Sequence, residues 1–368
     1  MGRETTESPE SSPTESRSSS CSEAHHTCCN ERVGLHIPKA VIDDIIADKL
    51  DVQLLSSFNP FIIADLSFSV GPNRFQVVKN IMEAVELKYL FQGLGSCMPE
   101  FQMYFSDHFS NDFNMLFKSF PPNKRYFAAG MPGSFYGRLF PKASLHFVHS
   151  SYALHFLSRV PTELEDETCL AWNRGRIHYT SSQREVVEAY SVQYAKDMDS
   201  FLHARAQEIV CGGLMALLIP SLPDENHPSQ SRLITLFELL ESSLKDMINM
   251  GFSSEAQVDS FNMPVYQPST QELEGLIERN GSFRIEKMEI LDRSMSHLIE
   301  IEKCITLQMR PSLEELIRRH FGSEIIDALF DQFDKRVAES SIPSDLNCKT
   351  IGELFILLKR NSDQSEDS

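Results

Sequence analysis

Apolar residues recur along this chain with two spacings, and the alternation between them sets the expected fold. From Ala40 to Leu50 they fall at helical spacing, with Asp43, Asp44 and Asp48 on the other side, which predicts a helix. Phe61-Ile-Ile-Ala-Asp-Leu66 is a short apolar run that ends in the loop Ser67–Asn73 and leads into the helical pattern Val77–Leu87. Strand, tight loop and helix in that order open a parallel α/β sheet. Phe101–Phe105 predicts a second strand stopping at Ser106-Asp107-His108, and Ser144–Ser150 a third, with Tyr152–Leu157 starting a helix behind it. Val186–Val210 predicts a long helix closed by Gly212 and Gly213, and Leu214–Ile219 a fully buried strand. Helical periods at Leu233–Met247 and Leu273–Ile277 predict a largely helical stretch over 230–320, and Ile351–Leu358 supplies a last strand.

The expected organisation is a tail over 1–37, an α/β domain over 38–225 and 340–362, and a mostly helical cap over 226–339. The first thirty residues hold eight serines, five glutamates and no apolar stretch, too polar to bury a core and unlike a signal or transit peptide. A formal net charge of -18 over 368 residues repels a phosphate backbone, so nucleic acid is not an expected partner. Nothing approaches the ~18 consecutive apolar residues of a membrane span. Eight cysteines without CxxC pairing fit a reducing compartment, and a cytoplasmic protein is expected.

In doubly wound sheets the ligand sits outside the carboxyl ends of the strands. Asp65 ends the first strand and Asp107 the second, where a carboxylate can accept from both hydroxyls of a ribose. Gly130-Met-Pro-Gly-Ser-Phe-Tyr-Gly137 is a small-residue loop that lets a backbone approach a flat ring, with Phe135 beside it. Ser134 lacks the flanking glycines of a GxSxG elbow, and Ser67–Asn73 lacks GxGxxG, which disfavours a serine hydrolase and a dinucleotide oxidoreductase. His146 and His149 read as core histidines, whereas His155 can face a pocket. Asn173, Asp259 and Asn262 read by pattern alone as caps and turns.

Several segments in order resemble the plant SABATH carboxyl methyltransferases over roughly residues 38–360. They are Ala64-Asp65-Leu66 with Gly71-Pro72-Asn73, Ser110–Asn114, Pro132–Pro141, Ser150–Leu154, Ala204–Glu208, Asp259–Tyr266 and His320-Phe-Gly322. The resemblance implies a Rossmann-like S-adenosylmethionine-dependent methyltransferase sheet with a helical cap, acting on a small-molecule carboxylic acid of terpenoid, iridoid or aromatic type. It implies a cofactor site of Asp65, Phe68, Asn73, Asp107, His108, Ser134 and Phe135, and an acceptor site of Tyr152, His155, Phe156 and Tyr266. It further implies Mg²⁺ at Asn173, Asp259, the Phe261 carbonyl and Asn262, and a homodimer. All-oxygen ligation is the kind that ion prefers.

Three departures from the family pattern bear on activity. Glu31 and Cys28 stand where the family has Gln and Ser; Ser67 and Phe68 replace a Gly and a Cys in the cofactor loop; Phe156 replaces a Trp that donates to the acceptor in many members. With those donors lost, His155 is the remaining candidate to bind the acceptor carboxylate. Two readings are open: a carboxyl methyltransferase, and a relative that binds a small acid or only dimerises.

Overall fold

The computed structural model describes residues 37–55, 60–67, 73–109, 113–180, 182–222, 232–291, 309–340 and 352–362. Seven strands form one sheet: β1 (Phe61–Asp65), β2 (Phe101–Asp107), β3 (Phe127–Pro132), β4 (Leu145–Ser151), β5 (Ile209–Ser221), β6 (Phe283–Ile290) and β7 (Gly352–Arg360). Their order is β3-β2-β1-β4-β5-β7-β6, with β1 to β5 parallel and β7 antiparallel to both neighbours. From β1 the chain works outward to β3 and then returns to β4 on the other side. The switch between β1 and β4 opens the crevice in which such sheets bind ligands.

Side-chain alternation divides the core into two layers. Phe61 and Ile63 of β1, Phe147 of β4 and Leu214, Ala216 and Leu218 of β5 face one layer. Helix α1 (Lys39–Lys49) packs there through Ile42, Ile45 and Ile46, and α3 (Asn73–Phe91) through Val77, Val78, Ile81 and Val85; the short α2 (Val52–Leu55) lies between them in sequence. Ala64, Val148, Met215, Leu217 and Ile219 face the other layer, covered by Tyr190, Tyr194, Met198, Phe201 and Leu202 of α5 (Arg184–Glu208). Helix α4 (Phe113–Lys118) precedes the edge strand β3.

In the expected cap, α6 (Arg232–Asn249), α9 (309–321) and α10 (Ile326–Glu339) pack on the α1 side. The short α7 (Glu255–Asp259) starts at a capping box in which Ser254 and Gln257 satisfy each other's backbone. Helix α8 (Thr270–Asn280) is capped by Ser269 and closed by Gly281 at φ 70°. It packs on the α5 side through Leu273, Leu276 and Ile277.

Four local expectations are corrected. β6 lies within the span expected to be helical; it is an edge strand whose Arg284, Glu286, Lys287 and Glu289 engage in surface ion pairs, so it carries no apolar run. β3 takes up the start of the segment read as a loop, and Gly130 there admits the Phe113 ring, whose Cδ1 would lie 2.6 Å from an added Cβ. Helix α5 stops at Glu208 and β5 begins at the next residue, so Gly212 and Gly213 lie inside the strand. A Cβ on Gly213 would sit 3.1 Å from the His146 carbonyl, beside the register shift between β4 and β5. Residues 152–157 form turns, because Tyr152 takes φ 52° and Phe156 bridges to Val265.

Candidate cofactor and acceptor site

The parallel pairing of β1 and β2 brings Asp65 level with Phe105 and leaves Asp107 two residues further up the same edge. The Asp65 carboxylate is buried and fully engaged. Its Oδ1 accepts from the Ser67 hydroxyl at 2.7 Å and backbone N–H at 3.2 Å, with His149 Nδ1 at 2.9 Å, and its Oδ2 accepts from Arg74 Nε at 2.6 Å. Burial by itself would raise the Asp65 pKa, but the Arg74 charge and the His149 hydrogen bond outweigh it and hold the carboxyl well below the usual range. Asp65 therefore underpins the crevice floor and offers no unengaged oxygen. With Nδ1 protonated against Asp65, His149 Nε2 accepts from Ser151 Oγ at 2.8 Å, which ties the end of β4 to the end of β1.

Asp107 stands at the lip, its side chain 11% exposed, with Oδ1 accepting from the His108 N–H at 2.8 Å. His108 and Phe109 are exposed rings 4.1 Å apart. The loop after β3 is joined to this point by the Gly133 N–H donating to the Asp107 carbonyl at 3.0 Å. Gly133 has φ 145°, and a Cβ there would lie 2.7 Å from Leu139, so the turn requires glycine. Ser134 is exposed and Phe135 half-buried against Tyr136 and Phe201. Asn73 opens α3, while Phe68, Cys28 and Glu31 lie outside the described residues.

Sequence reasoning missed how this loop is held. Arg205 and Glu208 form a fully buried ion pair at 2.7 Å. Arg205 donates to the carbonyls of Phe135 and Gly137, and Glu208 accepts from the N–H groups of Leu139 and Phe140. The motif Ala204–Glu208 thereby fastens Phe135–Phe140 to the end of α5. Arg74 was missed as well; nothing in its local sequence marks it.

On the acceptor side, His155 is buried, its carbonyl accepts from the Tyr266 N–H at 2.8 Å, and its ring lies 4.4 Å from half-buried Phe156. Among the described residues its Nδ1 has no hydrogen-bond partner. Tyr152 donates to Glu353 Oε1 at 2.6 Å, so its hydroxyl is turned to β7. The Tyr266 ring packs on Tyr179 and Tyr194 and its hydroxyl donates to Glu272.

The four positions implied for magnesium do come together. Asn173 donates to Asn262 Oδ1 at 2.9 Å and to the His178 carbonyl, while its own Oδ1 accepts from Ser182. Asp259 Oδ1 accepts from the Gly175 N–H at 2.8 Å, with Arg174 beside Oδ2. Phe261 packs on His320 and Phe321. Asp259 Oδ1 and both amide oxygens thus each accept a hydrogen bond from the protein. Together these bonds form a clasp between the 173–180 loop and the 259–262 turn. Among the described residues no group of three or more His, Cys, Asp or Glu is placed to hold a metal.

Loss of water lowers the pKa of three buried histidines from the ordinary 6.5: His146 to about 4, His155 to about 3 and His178 to about 4. A hydrogen bond from Ile62 opposes this at His146, and the Glu241 charge opposes it at His178, without reversing it. The unfolded chain takes up these protons near pH 6.5 and the folded chain only near 3 to 4, so the unfolded state binds more protons in between. Stability then rises with pH, by up to ~1.4 kcal/mol per pH unit for each histidine. Melting temperature is expected to hold above pH 7.5 and fall steadily from 6.5 to 5. A level profile over that interval would contradict the assignment.

A family model described as SAM dependent carboxyl methyltransferase matches residues 24–361. Loganic acid O-methyltransferase of Catharanthus roseus is 45% identical over 336 residues, 90% of this chain and 90% of that protein. Farnesoic acid carboxyl-O-methyltransferase of Arabidopsis thaliana is 37% identical over 327 residues, 88% and 91% of the two chains. A solved structure of loganic acid methyltransferase with SAH (S-adenosylhomocysteine) matches with a TM-score of 0.83 at 41% identity, covering 97% of this chain and 100% of that one. With a model spanning most of the sequence, relatives of this identity and the same sheet beneath them, the chain belongs to the S-adenosylmethionine-dependent carboxyl methyltransferases.

Proposed function

We propose that the protein forms the methyl ester of a small, largely apolar carboxylic acid of terpenoid, iridoid or aromatic type. S-adenosylmethionine supplies an electrophilic methyl group. Asp107 receives the ribose hydroxyls, His108 lies along the adenosine, and Ser134 and Phe135 hold the adenine. A carboxylic acid with a pKa of about 4 to 4.5 is ionised at neutral pH, so the chain need supply no general base. Its task is orientation and exclusion of water, worth as much as ~7–11 kcal/mol in favourable cases.

The observation that carries this reading is His155. Burial keeps its imidazole neutral, and its Nδ1 is unengaged among the described residues. An anionic acceptor selects the tautomer that points N–H at it, while the Phe156 ring beside it covers the apolar body. The Gln and Trp donors of other family members are absent from positions 31 and 156, which leaves His155 as the donor to the carboxylate.

A panel of carboxylic acids with labelled methyl donor tests the reading directly. In His155→Phe the KM for the accepted acid is expected to rise about 10- to 100-fold, the effect of one hydrogen bond to a charged group, with SAH affinity unchanged. An unchanged KM would remove His155 from the acceptor site. Binding of SAH without turnover of any acid would favour the non-catalytic alternative. The same reading places the protein in the cytosol as a homodimer. The exposed thiols of Cys97 and Cys211 suit a reducing compartment, and sedimentation equilibrium measures the oligomer.

A further inference from the structure

The crevice floor carries a fixed cation. The Arg74 guanidinium is 2% exposed and stacks over the Phe105 ring at 5.6 Å. Nε holds Asp65 Oδ2 at 2.6 Å, Nη2 donates to the Ser106 carbonyl at 2.8 Å and toward the Asp65 carbonyl at 3.4 Å, and Nη1 lies 3.5 Å from Asp107 Oδ2. So many anchors leave it no other seat. It therefore sits between the two carboxylates at the strand ends, where the proposed cofactor site puts the sugar and the methionine arm; the role assigned to Arg74 rests on that reading.

The two ligands of this crevice differ by one charge. S-adenosylmethionine carries a sulfonium, an ammonium and a carboxylate, net +1, whereas SAH has lost the sulfonium charge and is neutral overall. Asp65 and Asp107 alone would present two negative charges to that sulfonium, and Arg74 cancels one of them. We infer that Arg74 sets the discrimination between methyl donor and product, shifting the balance toward SAH. One unit charge at ~10 Å and an effective dielectric constant of about 20 changes relative affinity on the order of tenfold. The same charge keeps the sulfonium from being over-stabilised before transfer. The sulfonium charge disperses in the transition state, so an interaction that penalises only the ground state favours the step.

Calorimetric Kd values for S-adenosylmethionine and SAH on wild type, Arg74→Gln and Arg74→Lys test this. The ratio Kd(S-adenosylmethionine)/Kd(SAH) is expected to fall about tenfold in Arg74→Gln and to stay within about twofold of wild type in Arg74→Lys. Because the ratio is taken within one protein, general loosening of the site cancels. A ratio unchanged in Arg74→Gln, with both ligands bound, overturns the inference, whereas wild type binding neither ligand overturns the cofactor assignment itself. Should Arg74→Gln not fold, Arg74→Met, which keeps an apolar stem against the Phe105 ring, is read by the same ratio, and a ratio unchanged from wild type there likewise overturns the inference.

Discussion

Asp107→Ala loses SAH binding by at least about 100-fold, which amounts to roughly 3 kcal/mol or more for two hydrogen bonds to an ionised carboxylate. The fold should be little affected. The side chain is at the lip, Arg74 remains held by Asp65, and the Gly133 bond uses the Asp107 backbone carbonyl. Melting of the apo protein is therefore expected to change little, while the stabilisation produced by saturating SAH disappears. Asp107→Asn keeps one acceptor oxygen and should lose about tenfold. Undiminished SAH affinity in Asp107→Ala would place the ribose elsewhere and take the remaining cofactor assignments with it.

Glu208→Gln is expected to be the most destabilising single change, by about 3–5 kcal/mol, because it leaves the Arg205 guanidinium buried without a counter-charge. Burial already lowers the Arg205 pKa against the pull of Glu208, the mark of a cation kept in place by one partner. The consequence reaches the site, since the pair fastens both ends of Phe135–Phe140. SAH affinity should fall together with stability, although neither residue needs to touch the ligand. Denaturant titration measures the first effect and calorimetry the second. Arg205→Met combined with Glu208→Leu should cost less than the sum of the single changes, because neither charge is then stranded. Additive losses would show that the two residues act separately.

Much of the sheet was legible in the sequence, for a specific reason. β1, β4, β5 and β7 are buried on both faces, so they read as nearly continuous apolar runs, and buried α3 and α5 keep a helical period. β3 and β6 are sheet edges, half-exposed and in β6 heavily charged, and nothing in their own composition requires a strand. Asp65 and Asp107 were legible because a strand's end locates them without knowledge of its neighbours.

Local sequence determined the elements, the acids that close β1 and β2, and the family to which the segments belong. Tertiary structure alone decided the insertion of β7 between β5 and β6, the stacking of Tyr266 on Tyr179, and the gathering of Asn173, Asp259 and Asn262 into a hydrogen-bonded clasp. It also decided the roles of Arg74 and Arg205. Arg74 meets Asp107 across 33 residues and Arg205 meets Phe135 across 70. Such partners come within reach only after the sheet has placed their elements side by side, and the gain from pairing buried charges depends on the loss of water that this packing produces.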